Sequence, residues 1–284
     1  MIKVGIYGYR GYIGSRIKRR LEALNYDVIL FNRDEIYDRN FYLVAKDVSY
    51  IFLVSGISII KPWTKRNKQR IYDSRIRPAL RFQELIREGL INPEAVIAAS
   101  AIGIYDENHV HHDGSVYFNQ HFLGRLVEDW ENSLGELPST RIVHVRIGNI
   151  IGKNSAFFKP MKMLRRLRIK LFFGSGNQEI SYIHIDDLIS IFIFCMKERD
   201  VSGPVNGVNG DIISMQKFMD TLFQCKEKRL CTFHVPVFMM KFFMGERSTL
   251  LLDSKKVLPK KLFNRQFTFR FPDIKTCIED SLKS

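Results

Sequence analysis

Lys3-Val-Gly-Ile-Tyr-Gly8-Tyr-Arg-Gly11-Tyr-Ile-Gly14 decides the fold. A short apolar strand runs straight into three glycines spaced three apart, and a helical pattern follows at once. A strand, a glycine turn and a helix N-terminus together make a pyrophosphate cradle, because the backbone turns tightly and free helix N–H groups face the negative charge. Glycine is required where a Cβ would collide with the ligand or where φ is positive. The spacing is G-x-x-G-x-x-G, a variant of the more familiar G-x-G-x-x-G. Residues Gly8, Tyr9, Arg10, Gly11, Tyr12, Ile13 and Gly14 are therefore expected to hold a dinucleotide.

The pattern downstream of this turn alternates strand and helix. The spacing predicts strands over Ile2–Tyr7, Val28–Phe31, Tyr50–Val54, Val96–Ala99 and Ile142–Val145. Helices are predicted over Ile13–Asn25, Thr64–Glu88, where Pro78 should restart or kink the helix, and Phe122–Leu134. The segment Asp34–Asp47 has room for little more than a short strand and a short helix. Alternating βαβ units imply an α/β fold with a doubly wound parallel sheet. After about Gly152 the pattern changes, which predicts a Rossmann domain over residues 1–152, completed by about 178–208. A smaller substrate-binding lobe then takes 153–177 and 209–284. Its aromatics (Phe233, Phe238, Phe242, Phe243, Phe267, Phe269, Phe271) are read as its core.

Composition sets bounds. The chain has 284 residues, 45% of them hydrophobic and 26% charged, as in an ordinary globular protein. No run of about eighteen apolar residues occurs, so neither a transmembrane helix nor a membrane partner is expected. A strand beginning at Ile2 leaves no room for a signal peptide. Cys195, Cys225, Cys231 and Cys277 show no C-x-x-C spacing and read as free thiols of a cytoplasmic protein. His109, His111 and His112 lack partnering Cys or carboxylate pairs, so no metal is expected. The net charge of +14 raises the question of nucleic acid. The basic runs fall on predicted helices without a recognition motif, however, and an anionic cofactor or substrate explains part of the excess equally well.

The residue after the second strand separates NAD from NADP. An acid there holds the ribose 2′-hydroxyl, and an arginine accommodates a 2′-phosphate. The strand ends Phe31-Asn32-Arg33-Asp34, with Asn32 in the acid's place and Arg33 next; Arg10 adds a second cation. This favours NADP over NAD, since a guanidinium suits a phosphate. In the alternative reading Arg33 is a surface residue and Asp34 binds the ribose.

Further motifs follow in order: Ser55-Gly56, Pro62-Trp63-Thr64, Asp73-Ser74-Arg75, Ala99-Ser100-Ala101-Ile-Gly103-Ile-Tyr105 and Trp130-Glu131. Arg146-Ile-Gly148, Tyr182-Ile-His184-Ile-Asp186-Asp187, Met244-Gly245-Glu246 and Leu258-Pro259-Lys260 complete the series. With these the chain resembles, nearly end to end, the extended short-chain dehydrogenase/reductase superfamily. More narrowly, it is similar to the atypical NAD-dependent epimerase/dehydratase-like group of bacterial epimerase family proteins. The resemblance implies a cofactor site that includes Ser55 and Gly56.

It also implies an acid/base tyrosine, a lysine four residues later that lowers its pKa, and a serine that polarises the substrate oxygen. The serine is Ser100. The Tyr-x-x-x-Lys pair is missing: Phe122 and Leu126 stand in its place, as befits the atypical group, and Tyr117 lies too early to align well. Tyr105 is then the best remaining proton donor, with a packing role in the cleft as the alternative. His184 is expected to brace rather than catalyse, with Asp186 or Asp187 capping the helix that follows. Tyr9, Arg10 and Asp106 depart from the group's pattern, and the bulk of Tyr9 narrows the cofactor entrance.

The functions implied are an NADP(H)-binding oxidoreductase or epimerase-like enzyme for a small polar substrate, such as a sugar or nucleotide sugar. The alternative is an NADP-binding sensor or partner protein with weak or no catalysis. Nucleic-acid binding through the basic helices comes third. Oligomeric state is not legible.

Overall fold

The computed structural model describes residues 1–223 and 231–283; Cys225 lies outside the described residues. The chain divides into two compact units. The first holds Met1–Ile104, Gln120–Arg146 and Ile189–Val205. Its elements begin with β1 (Lys3–Tyr7), α1 (Gly14–Ala23), β2 (Asp27–Phe31), α2 (Phe41–Ala45) and β3 (Tyr50–Leu53). They continue with α3 (Lys65–Arg87), β4 (Ala95–Ala101) and α4 (Phe122–Asn132).

Six strands form the central sheet, in the order Gly203–Gly207, Arg141–Ile147, β4, β3, β1, β2. β1 pairs in parallel with both β2 and β3, and β3 with β4. The chain therefore leaves β1 to one side for β2 and crosses back to the other side for β3. A ligand crevice opens at such a switch point, outside the carboxyl ends of the two strands. No strand forms in the short Asp34–Asp47 segment, where a single turn of helix over Glu35–Tyr37 and α2 suffice, so β2 is the sheet edge.

The inner strands carry continuous apolar runs because both faces are covered: all four residues of β3 are buried. Phe31, Phe41 and Phe82 pack ring to ring beneath α3, with centroids 5.0–5.9 Å apart. α3 runs unbroken through Pro78. The carbonyl that loses its i+4 donor there, Ser74 O, instead has the Ser55 hydroxyl at 3.5 Å.

The second unit holds Tyr105–Asn119, Ile147–Leu188 and Asn206–Ser284. Thus 105–119, expected in the first domain, belongs here. The cause is pairing: Val110–His111 adds in parallel to Lys256–Val257, far along the chain. The unit also has a three-stranded sheet of Ile212–Ser214, Glu179–His184 and Asn149–Ile151, and a parallel ribbon of Ile169–Phe173 with Cys231–Val235. Its core includes Phe158, Phe172, Tyr182, Phe218 and Phe271. Of the tail aromatics read as core, Phe271 is buried, whereas Phe233, Phe238, Phe242 and Phe243 are exposed. Their helix is apolar on almost every side, so composition does not tell which face turns inward.

Candidate functional site

At the switch point lies a cavity of about 390 Å³ lined by Tyr7, Gly8, Tyr9, Arg10, Gly11, Phe31, Asn32, Arg33, Val54, Ser55 and Gly56. Eight residues expected at the cofactor site therefore share one wall system. Gly8 makes the turn at φ +98°, and a Cβ on it would lie 2.6 Å from the Ser55 nitrogen. Gly11 N–H donates to Gly8 O at 2.9 Å, closing the loop. A Cβ on Gly14 would sit 2.3 Å from Gly8 O, so glycine lets α1 begin directly against the turn. Tyr12, Ile13 and Gly14 lie outside the cavity lining. Tyr12 carries the Arg16 guanidinium over its ring at 3.9 Å, and Ile13 and Gly14 start α1, whose Ser15 N–H donates to Gly11 O at 3.0 Å and whose Ile17 N–H donates to Ile13 O at 3.0 Å. The cradle fits a dinucleotide phosphate: room that only glycine leaves, the positive end of α1 and nearby cations.

The far end of the cavity is a short polar chain. The Tyr9 hydroxyl donates to Asn32 Oδ1 at 2.7 Å, and Asn32 Nδ2 donates to Glu35 Oε1 at 2.8 Å. The Asn32 acceptor oxygen and the Glu35 carboxylate are thus already engaged. Burial holds the Tyr7 phenol above its ordinary pKa, with the nearby Arg33 charge opposing. The Arg10 guanidinium lies 5.3 Å from the Tyr9 ring centre.

The 55–57 wall is fastened to α3. Ser74 Oγ accepts from Ile57 N–H at 3.1 Å, and Arg75 Nη1 donates to Ile57 O at 3.1 Å. Burial without an acid partner pushes the Arg75 guanidinium down to about 10. Sequence reading listed Asp73-Ser74-Arg75 only as a motif; Pro78, which frees Ser74 O, was the available signal for this support.

At the end of β4, Ser100 is 3% exposed. Its hydroxyl donates to Glu131 Oε1 at 2.5 Å. Arg146 grips the same carboxylate with two bonds, Nε to Oε1 at 2.8 Å and Nη2 to Oε2 at 2.6 Å. Burial pushes the Glu131 carboxyl up, but the Arg146 bonds and charge, helped by His144 and Ser100, outweigh it and hold Glu131 below its usual range. The Ser100 proton is therefore directed into a buried ion pair.

Tyr105 belongs to the other unit and is fully buried. Its hydroxyl donates to Asn206 Oδ1 at 2.8 Å, with His112 O at 3.1 Å, and its ring stacks on His111 at 4.5 Å. The phenol proton thus has buried acceptors, the arrangement the packing alternative requires. At the positions of the missing acid/base pair, Leu126 is buried. The Phe122 ring meets Trp63 at 5.1 Å and carries the Lys68 ammonium at 4.7 Å.

His184 Nδ1 accepts from Asp186 N–H at 3.3 Å, so the histidine, not an aspartate, caps the helix. Asp187 instead receives the Arg270 and Phe271 N–H groups, each at 2.9 Å. Among the described residues no group of His, Cys, Asp and Glu is arranged to hold a metal.

A parallel sheet with a glycine-turned crevice at its switch point defines a Rossmann dinucleotide-binding protein. The chain belongs to the NAD dependent epimerase/dehydratase family, whose model matches residues 4–209. A second model, a domain of unknown function (DUF1731), matches residues 235–281. Epimerase family protein SH2119 of Staphylococcus haemolyticus is 28% identical over 97% of both chains. Epimerase family protein SAOUHSC_00792 of Staphylococcus aureus is 29% identical over 98% of both. Among solved structures, human epimerase family protein SDR39U1 with NADPH shares the fold over 100% of both chains, with a TM-score of 0.91 at 23% identity. MoeE5 in complex with UDP-glucuronic acid and NAD has a TM-score of 0.77 at 15% identity, covering 100% of this chain and 98% of that one.

Proposed function

We propose that the protein binds NADP(H) in the switch-point cleft and acts as an oxidoreductase or epimerase-like enzyme on a small polar substrate, such as a sugar or nucleotide sugar. One observation carries the cofactor assignment: the cavity lining holds two arginines, Arg10 and Arg33, and no carboxylate. A ribose 2′-hydroxyl needs an acceptor, and the Asn32 oxygen already accepts from the Tyr9 hydroxyl while Glu35 Oε1 accepts from Asn32 Nδ2. A 2′-phosphate needs donors, which the two guanidinium groups supply. The nicotinamide, when bound, exchanges hydride with carbon; Gly8, Gly11 and the start of α1 orient the pyrophosphate, and Ser55 and Gly56 shape the cleft beside it.

Replacing Arg33 with Ala is expected to weaken NADPH binding about 10- to 100-fold, from the loss of one charge-assisted contact. NADH binding should change by less than about threefold on the same scale. Equal losses for the two cofactors in a fluorescence titration would defeat the assignment. The NADP-linked relative named above, human SDR39U1 with NADPH, supports the same reading.

A second reading, a cofactor-binding sensor or partner without turnover, is favoured by a separate observation. Ser100 and Tyr105 are both buried with their protons engaged. Incubation of the protein with NADPH and a panel of carbonyl and nucleotide-sugar compounds decides between them. Substrate-dependent loss of NADPH absorbance, or formation of an epimerised product without such loss, supports the enzyme, and tight binding with neither supports the sensor.

A further inference from the structure

The helix Val237–Met244 turns its bulk outward. Met240 is the buried residue, at 5% exposure, whereas Phe238, Phe242 and Phe243 are 72%, 82% and 75% exposed. At about 100° per residue, Phe238, Phe242, Met239 and Phe243 fall within an arc of about 140°, opposite the Met240 side.

The ribbon before this helix repeats the arrangement. Side chains alternate between faces, so Lys170, Phe172, Thr232 and His234 share the face on which Phe172 enters the core. The other face carries Ile169, Leu171, Cys231, Phe233 and Val235, without one charged or amide side chain, and Phe173 at its end packs against the core. Phe233 is 54% exposed there. An outward sheet face is ordinarily polar, and an exposed apolar surface that continues from a ribbon onto a helix marks an interaction site.

Charge identifies the occupant. Residues 147–178 contain seven Lys and Arg and no Asp or Glu, and residues 231–245 contain Lys241 and no acid. The helix Phe158–Arg166 runs directly into the ribbon strand Ile169–Phe173, and Lys241 lies on the exposed helix itself. Lys159, Arg166 and Lys241 are exposed and pair with no carboxylate among the described residues. Lys162 lies among Arg166, Lys153 and Arg165, and burial together with these like charges lowers its pKa. Asp220 is taken up by Lys170, and Glu246 follows the helix, so cations predominate, and a symmetric contact with a second copy would press them against one another. An anionic lipid surface complements them.

We propose that this face docks the protein on an anionic membrane surface, with Phe238, Phe242 and Phe243 entering the headgroup boundary and Lys159, Arg166 and Lys241 meeting the headgroups. The mode is peripheral, since no helix among the described residues is long and apolar enough to cross a membrane. The absence of a membrane partner expected from sequence rested on crossing, which is a different requirement from docking.

The test is sedimentation of the full chain with phosphatidylcholine vesicles, alone or with about one third phosphatidylglycerol. The wild type should pellet with the anionic vesicles, about tenfold less with phosphatidylcholine alone, and be released by about 0.5 M salt. F242S/F243S and K159E/R166E, all at exposed positions, should each reduce pelleting about tenfold while the unfolding midpoint and NADPH affinity stay at wild-type values. Wild-type protein that stays in solution with anionic vesicles, or binds both vesicle types alike, overturns the proposal. So do variants that bind as well as the wild type. A lipid-free dimer that F242S/F243S dissolves would assign the face to a second copy instead.

Discussion

Strand β1 ends in an open cleft, while β4 ends in a sealed polar cluster. At β1 the backbone is bare glycine, the arginines face no acid across the cavity, and the acceptors are taken up by neighbours. At β4 a serine is tied into a buried Glu131–Arg146 pair. The two ends teach that one sheet edge can leave its polar groups open at one strand and engage them at another. In the usual arrangement of the superfamily both ends would serve the reaction.

The largest effect expected from breaking this contrast is at Glu131. Replacing it with Ala removes the carboxylate that the buried Arg146 guanidinium grips with two bonds, which should cost about 3–5 kcal/mol of stability in denaturant titration. NADPH affinity of the folded fraction should be unchanged. A stable variant with damaged cofactor binding would show that the cluster belongs to the ligand site after all.

Tyr105→Phe comes next. It strips a buried acceptor, Asn206 Oδ1, of its donor and should cost about 1–3 kcal/mol. On any substrate that shows turnover, kcat should be preserved. A loss of kcat of about 100-fold without a stability change would restore Tyr105 as the proton donor.

Tyr9→Phe sharpens the open end. It frees the Asn32 oxygen for a ribose hydroxyl, so NADH affinity should rise about 3- to 10-fold relative to NADPH. An unchanged ratio in paired titrations would separate Tyr9 from cofactor choice.

The smallest effect is a pH trend. Burial lowers the pKa of His144, with Glu131 opposing, and burial likewise lowers His111 and His184. Each then takes up its proton more readily unfolded than folded, so the unfolded state binds more protons below the ordinary histidine value of about 6.5. Stability should therefore fall as pH drops from about 7 toward 5. Thermal melts that are flat or rise over this range would contradict the buried neutral state, and His144→Asn should weaken the slope.

Much of the fold was legible because its signals are local. The glycine turn, the buried runs of β3 and β4 and the long α3 each declare themselves within about twenty residues. The cleft residues Asn32 and Arg33 follow from knowing where the second strand ends, whereas Ser55 and Gly56 came from the family resemblance. The roles of Ser100 and Tyr105 were not legible, since their partners are remote: Glu131 is 31 positions from Ser100, and Asn206 is 101 from Tyr105. The tail phenylalanines misled for a related reason. A helix apolar on nearly all sides gives no periodic signal to say which face is inward.

The sequence by itself determined that this chain builds a parallel sheet with a nucleotide turn at its head, because a turn that only glycine can make and runs of apolar residues are properties of neighbours along the chain. Tertiary structure alone decided which polar groups stay available. A hydroxyl is free or committed according to what folding brings to within about 3 Å of it, and that is set by side chains the sequence keeps far apart.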